Sequence, residues 1–318
     1  MEKKGYKADR LIAAGLAVGS TSRVYDRFRG RVMFPLLDIS GRVVGFSGRV
    51  LPEEMNDPHF AANFVKTTLA KKASKGEEPK YTNSPETEIY HKSKMLFGLT
   101  VARNEIKKKN RVVIVEGEFD MISSFAAGVS ETVAIKGSAL TGEMMDVLSR
   151  LTNTFVLALD ADAAGEAAMK RSIEESEKRG LSIKMVEMTG GKDPDEIARK
   201  RPREWQEMVE KAVPVYEFFF TKAIGKYGTD GVENISRIVK EVVPYLAKIE
   251  NSVIREVWAK KLAEKLGVEK PRVWEEIEKV RTGRNFLREE RQEVVTGGMR
   301  AQLDGEFIGA LMPAKLEL

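Results

Sequence analysis

The sequence contains no cysteine and only two histidines, His59 and His91, in 318 residues. Disulfide bonds and thiolate zinc sites are therefore excluded, and so is a histidine-rich metal site. No apolar run approaches the roughly 18 residues of a membrane helix, and the opening segment MEKKGYKADR has no apolar stretch of the secretory kind. We therefore expect a cytoplasmic protein without a membrane partner, in which any metal ion binds to carboxylates.

Hydrophobic residues make up 42% of the chain and charged residues 32%, and the length allows two or three packed units. The formal net charge is +5. A modest basic excess of this kind fits a nucleic-acid partner, but it also fits an ordinary basic protein. Charge alone therefore leaves the class of partner open.

The first part of the chain, up to about Leu51, predicts one helix followed by an antiparallel hairpin. The helix is expected from about Ala8 to Ala17, and extended segments at 31–37 and 42–46 flank turn-forming residues. Residues 52–80 carry proline, asparagine, lysine and glutamate without a clear period. Part of that stretch is predicted to be a mobile insertion, poorly ordered near Lys75.

From Arg111 onward, apolar segments alternate with helical ones. RVVIVEG, TVAIKG, TFVLALD and SIKMVEM read as buried strands, which predicts a doubly wound, mainly parallel sheet. The chain is predicted to be largely helical from Pro214 to about Arg281. We therefore expect an α/β fold with an α+β N-terminal part and a C-terminal helical bundle, divided at 1–105, 106–212, 213–283 and 284–318.

Acidic residues gather where the predicted strands end, which is the edge at which open α/β sheets hold their ligands. The candidates are Glu116, Asp120, Asp160, Asp162, Asp193 and Asp195. Two carboxylates about 4 Å apart repel by about 4 kcal/mol at an effective dielectric constant near 20, so several of them need protons or cations. Oxygen ligands favour Mg²⁺ or Mn²⁺, and a two-metal site is the usual arrangement for displacement at phosphorus. The other interpretation is that these acids cap helices and keep the surface soluble.

Three motifs carry a family resemblance: VEGEFD at 115–120, ALDADAAG at 158–165 and GKDPDE at 191–196. In order and spacing they resemble the Toprim domain of bacterial primases, type IA and type II topoisomerases and some nucleases. The resemblance implies that Glu116 is a metal ligand or general base and that Asp160 and Asp162 hold the metal, which makes these three the catalytic candidates. Two positions depart from the family pattern, because Ala161 replaces the usual glycine and Glu118 stands where an aromatic residue is frequent.

Two further segments, YDRFRGRVMFPLLDISGRVVGFSGRVL at 25–51 and PKYTNSPETEIYHKSKMLFGL at 79–99, resemble the basic motifs of the bacterial primase core of the DnaG type. That resemblance implies RNA primer synthesis from ribonucleoside triphosphates on a single-stranded DNA template, at the start of DNA replication. The implied contacts to template or nucleotide are Arg31, Arg49, Lys80, Tyr81, Asn83 and Lys92. Arginines beside a hairpin are also common as solvated charges at a strand edge. Lys136 could reach a phosphate, although the family usually lacks lysine there.

The family also sets expectations for partners and for the parts of the chain outside the core. Its full-length members carry a cysteine-ligated zinc module and a C-terminal helicase-binding domain. Zinc is expected only in that module, which is absent here, and DGEFIGALMPAKLEL resembles the first helix of the helicase-binding domain cut short. The chain therefore reads as an excised core that would meet the helicase through the missing domain. A Toprim nuclease, a topoisomerase fragment and a non-catalytic DNA-binding module remain the alternatives.

Overall fold

The computed structural model describes residues 4–20, 23–50, 79–136, 139–159 and 171–283. Asp160, Asp162, most of the predicted insertion at 52–80 and the tail from 284 lie outside the described residues. The chain forms two compact units, of which the first ends at Pro214 and the second begins at Val215. The fourfold division expected from the sequence stays a prediction.

The N-terminal part of the first unit consists of a helix, a small hairpin and an antiparallel sheet. Its described elements are α1 (Ala8–Ala13), β1 (Ala17–Ser20), β2 (Arg23–Asp26), β3 (Arg31–Leu37), β4 (Val43–Val50) and β5 (Tyr81–Asn83). Strands β3, β4 and β5 pair in that order, which confirms the predicted hairpin. Helix α1 ends earlier than expected because Gly15 adopts φ +68°, a left-handed conformation that closes helices, and β1 follows.

The rest of the first unit is built around a parallel sheet. Its described elements are α2 (Leu99–Lys109), β6 (Val112–Val115), α3 (Glu118–Ala126), β7 (Thr132–Ala134), α4 (Gly142–Leu148), β8 (Thr154–Leu157), β9 (Ser182–Met185), α5 (Pro194–Lys200), α6 (Pro202–Glu210) and β10 (Val213–Pro214). The strand order is β10-β9-β8-β6-β7, and every pair is parallel except β9 with β10. The predicted mainly parallel sheet is confirmed, with an antiparallel edge strand that the sequence did not predict.

The core of this sheet explains why its strands read as continuous apolar segments. All four residues of β6 are fully buried, as expected for a central strand covered on both faces. Trp205 of α6 and Ile197 of α5 pack into the same cluster as Val113 and Val156. The sheet is therefore held by close packing on the helices that flank it, and its carboxyl edge is left to the connecting loops.

The second unit is helical, with α7 (Val215–Tyr227), α8 (Val232–Leu246), α9 (Ser252–Leu266) and α10 (Lys270–Arg281). This confirms the predicted helical region up to Arg281. Asn251 caps α9 by accepting hydrogen bonds from the backbone of Val253 and Ile254. Tyr216 and Phe220 pack on Trp258 with ring centres 5.4 and 5.8 Å apart, so the aromatic run at 216–220 is core. None of the helices in the described ranges is long and apolar enough to cross a membrane.

Truncating the central strand should destabilise the first unit strongly. Ile114→Ala removes a fully buried side chain and leaves a cavity, so we expect a loss of about 2–5 kcal/mol in the free energy of unfolding. Val101→Ala on α2 is the matched control, because Val101 is 57% exposed; its loss should stay within about 0.5 kcal/mol. Urea denaturation measures both values, and equal losses would contradict the central position of β6.

Candidate active site

A cavity of about 300 Å³ lies where the acidic loops of the parallel sheet face strands β4 and β5. Residues predicted from the sequence that line it are Arg49, Lys80, Tyr81, Asn83, Glu116, Asp120, Asp193 and Asp195. Gly117, Glu118, Phe119 and Lys136 complete the lining. Acidic and basic candidates that are far apart in the sequence therefore meet in one cavity.

Two of the predicted site residues that the structure describes, Arg31 and Lys92, are not among those lining residues. The Arg31 guanidinium donates to the carbonyl oxygens of Gly48 and Pro79, at 3.2 and 3.0 Å, so it holds neighbouring backbone segments together. The backbone nitrogen of Lys92 donates to Glu86. Asp160 and Asp162 lie outside the described residues, and a ligand-binding role for any of these four residues stays a prediction.

The acids at the sheet edge are placed by the ends of strands and the starts of helices. Glu116 follows β6 directly, and its carbonyl oxygen accepts a 2.7 Å hydrogen bond from the backbone of Lys136. Asp120 accepts from the backbone nitrogen of Gly117 at 2.9 Å and from that of Asp195 at 3.1 Å. The Asp120 carboxylate thus connects the start of α3 to the start of α5.

Asp193 and Asp195 also have structural partners. Asp193 is the N-cap of α5 and accepts a 2.8 Å hydrogen bond from the backbone of Glu196. Asp195 accepts from the Ser123 hydroxyl and forms an ion pair with Arg199 at 2.9 Å. Within the described residues, no group of three or more acids or histidines is arranged to hold a metal ion.

On the basic side of the cavity, Arg49 is held by two aromatic rings. Its guanidinium lies 4.2 Å from the centre of the Phe119 ring and 5.4 Å from that of Tyr81, and it donates to the Tyr81 hydroxyl at 3.1 Å. Burial raises the pKa of Tyr81, an effect that the Arg49 charge opposes. The phenol therefore stays protonated at neutral pH. Phe119 could not be predicted from the sequence, because its contact with Arg49 arises only in the folded chain.

A buried ion pair between Lys136 and Glu118 also lines the cavity. This pair was not predicted from the sequence. Lys136 Nζ lies 3.0 Å from Glu118 Oε1, with each side chain only 3% exposed, and donates to Asn83 Oδ1 at 3.0 Å. The contact at Glu118 Oε1 is an ion pair. Burial lowers the pKa of Lys136, which the Glu118 charge opposes. The Lys136 charge is thus satisfied within the protein.

Comparisons with known proteins agree with this arrangement. Residues 1–103 match the DNA primase catalytic core N-terminal domain, residues 113–198 a Toprim-like domain, and residues 216–270 the DnaB-helicase binding domain of primase. The chain is 35% identical to the DNA primase of Clostridium acetobutylicum over 279 residues, which is 87% of this chain but 42% of that protein's length.

Solved structures give the same picture. A DNA primase domain from Pseudomonas aeruginosa matches with a TM-score of 0.66 at 29% identity, over 86% of this chain and 79% of that one. A DnaG primase catalytic domain bound to single-stranded DNA matches with a TM-score of 0.64 at 30% identity, over 85% of this chain and 80% of that one.

The parallel sheet with its acidic edge defines a Toprim protein. The antiparallel sheet with its basic residues distinguishes primases from other Toprim proteins. The chain belongs to the DnaG-type bacterial DNA primase family and matches its catalytic core.

Two substitutions distinguish the two possible roles of Asp193, as the cap of α5 and as a metal ligand. Asp193→Ala should lower the free energy of unfolding by about 1 kcal/mol because α5 loses its cap, whereas Asp193→Ser, which keeps a capping oxygen, should stay within about 0.5 kcal/mol. Chemical denaturation measures both, and equal losses would contradict the capping role. Bound magnesium should raise the melting temperature of the unaltered chain, and an equal rise in Asp193→Ser would show that Asp193 is not a ligand.

Proposed function

We propose that this chain synthesises RNA primers on single-stranded DNA by metal-dependent transfer of ribonucleotides, at the initiation of DNA replication in the cytoplasm. The observation that carries the proposal is the cavity that brings acidic Glu116 together with basic Arg49 and Lys80. Nucleotidyl transfer needs both, because anionic phosphates have to be held beside carboxylates that act on the reacting hydroxyl. A related catalytic domain has been solved with single-stranded DNA, which supports this choice of template.

The donor chemistry of the cavity fits a hard divalent cation. Its acidic lining residues offer carboxylate oxygens, the ligands that Mg²⁺ and Mn²⁺ prefer. We propose Glu116, Asp160 and Asp162 as the principal ligands. Asp120, Asp193 and Asp195 are further candidates that would have to share their oxygens with the hydrogen bonds and ion pair that they already make.

In the proposed reaction, the 3′ hydroxyl of the growing RNA attacks the α-phosphorus of a ribonucleoside triphosphate. A new P–O bond forms, the bond to the β-phosphate oxygen breaks, and pyrophosphate leaves. Glu116, at the end of β6, is the proposed acceptor of the hydroxyl proton. Two divalent cations, when bound, would supply positive charge beside the attacking and leaving oxygens. The chain's own contribution is orientation and electrostatics, without a covalent intermediate.

The basic wall is the proposed binding surface for template and nucleotide phosphates. Arg49 and Lys80 supply the positive charge, and the aromatic rings of Tyr81 and Phe119 limit the freedom of the Arg49 guanidinium. A side chain that is already oriented loses less entropy when it binds a phosphate. Tyr81 adds a ring and a hydroxyl that can contact a sugar or base edge, and Asn83 adds a side-chain amide.

We also propose a replicative helicase as a partner, by way of the second unit. Residues 216–270 match a helicase-binding domain, whereas the sequence alone suggested that such a domain begins near 304. Helix α9 carries Val253, Ile254 and Val257, which are 66%, 45% and 48% exposed. Apolar side chains at this spacing lie on one face of a helix and offer a surface for a partner protein.

Removing the catalytic acids should abolish synthesis while template binding survives. We expect Glu116→Gln, Asp160→Asn and Asp162→Asn each to lower primer yield by about a hundredfold or more, because each removes a proposed ligand of the divalent cations and leaves the basic wall intact. Incubation with a single-stranded template, labelled ribonucleotides and magnesium measures the yield. Normal yield from any variant would remove that residue from the mechanism. Cleavage of the template by the unaltered chain, without synthesis, would identify a nuclease instead.

Neutralising the basic wall should have a different effect. Arg49→Ala and Lys80→Ala should weaken single-strand binding and reduce the salt slope of the binding constant by roughly 0.7 for each lost phosphate contact. Fluorescence anisotropy over a range of salt concentrations measures the slope. Lys211→Ala, at an exposed position after α6, is the control and should leave it unchanged. Unaltered slopes in the first two variants would exclude both residues from the phosphate-binding surface.

A further inference from the structure

Three segments that line the cavity meet at Lys136. Its backbone nitrogen donates to the Glu116 carbonyl oxygen at 2.7 Å, and its ammonium contacts Glu118 and the side-chain oxygen of Asn83, each at 3.0 Å. Lys136 also has φ +60°, a left-handed conformation that a lysine keeps only where its surroundings impose it. The position of this ammonium is therefore strongly constrained.

The ammonium determines which end of the Asn83 amide faces it. A protonated lysine has three donors and no acceptor, so only the amide oxygen can turn toward it. The amide nitrogen of Asn83 must then point elsewhere. Asn83 lines the cavity, and within the described part of the chain no acceptor takes a hydrogen bond from its Nδ2.

Glu118 supplies the second contact of the ammonium. Glu118 Oε1 lies 3.0 Å from Lys136 Nζ, and each side chain is only 3% exposed. The carboxylate and the Asn83 oxygen together hold the ammonium in one place. The pair thus gives the Asn83 amide a defined orientation.

We propose that the Glu118–Lys136 ion pair is a positioning element that fixes the Asn83 amide, so that its nitrogen donates a hydrogen bond to a phosphate oxygen in the cavity. Phosphate is the acceptor because Arg49 and Lys80 make the surrounding wall positive. The inference rests on the proposed function for the source of that phosphate, which is either the incoming triphosphate or the template backbone.

Nuclear magnetic resonance of the side-chain amide of Asn83 tests the proposal on the full chain. Asparagine is labelled with ¹⁵N, and Asn83→Asp identifies the signals by their loss. We expect the Asn83 amide signals to shift on addition of inorganic triphosphate or of a short single-stranded oligodeoxynucleotide. The ligand that causes the larger shift identifies the source of the phosphate.

Exchanging the two charges supplies the decisive variant. Glu118→Lys with Lys136→Glu preserves net charge but presents a carboxylate to Asn83, which turns the amide nitrogen away from the cavity. We expect the ligand-induced shift to disappear and affinity to fall on the order of tenfold, as for loss of a hydrogen bond to a charged group. If the exchanged variant does not fold, Glu118→Gln with Lys136→Met removes the constraint without burying charge, and a loss of severalfold is expected.

Glu207→Lys with Lys211→Glu exchanges an exposed ion pair as a matched control and should bind both ligands normally. Asn83 signals that respond to neither ligand, or unchanged affinity in the exchanged or neutral variant, would overturn the proposal. If the unaltered chain makes no primers while the Asn83 signals respond, the proposed function fails and the positioning role stands. If the unaltered chain makes primers but the Asn83 signals do not respond, the proposed function stands and the positioning role fails.

Discussion

Strand β6 is hydrogen-bonded to parallel neighbours on both sides, and the position of the candidate site depends on this pairing. Ile114 lies opposite Val133 of β7 and Leu157 of β8, so the three strands end at the same edge of the sheet. Glu116 and Lys136 follow β6 and β7, and the hydrogen bond between their backbones continues the ladder beyond the strands. Parallel pairing thus brings together residues that are twenty positions apart in the sequence.

Opposite charges share the cavity, and several of the charged side chains have partners that hold them in place. Arg49 rests on aromatic rings, Asp120 accepts two backbone hydrogen bonds, and Lys136 faces Glu118. The arrangement therefore offers preorganised charge of both signs, which is the condition under which electrostatic catalysis is effective.

The sequence predicted those parts of the structure that depend on local pattern. Continuous apolar segments such as 112–115 identified the parallel strands, and Pro194 occupies the first position of α5, directly after its cap Asp193. The edge strand β10 was not predicted, because two residues carry no periodicity. The hairpin of β1 and β2 was not predicted either, because its residues are mostly exposed.

For the candidate site, the sequence likewise predicted the residues but not the contacts between them. Motif spacing identified the acidic and basic residues, and the fold brings most of the described ones to one cavity. The contacts that orient them could not be predicted. Arg49 contacts Phe119, which lies seventy positions later in the sequence, and Lys136, after β7, contacts Glu118 at the start of α3. Such contacts depend on side-chain packing between elements, for which a single sequence has no periodic signal.

The buried Glu118–Lys136 pair also restricts how this protein can diverge. Loss of either member leaves an uncompensated charge in the interior, which is far more costly than loss of both. Substitutions at these positions should therefore be correlated among descendants, and each would be tolerated only in the background of the other.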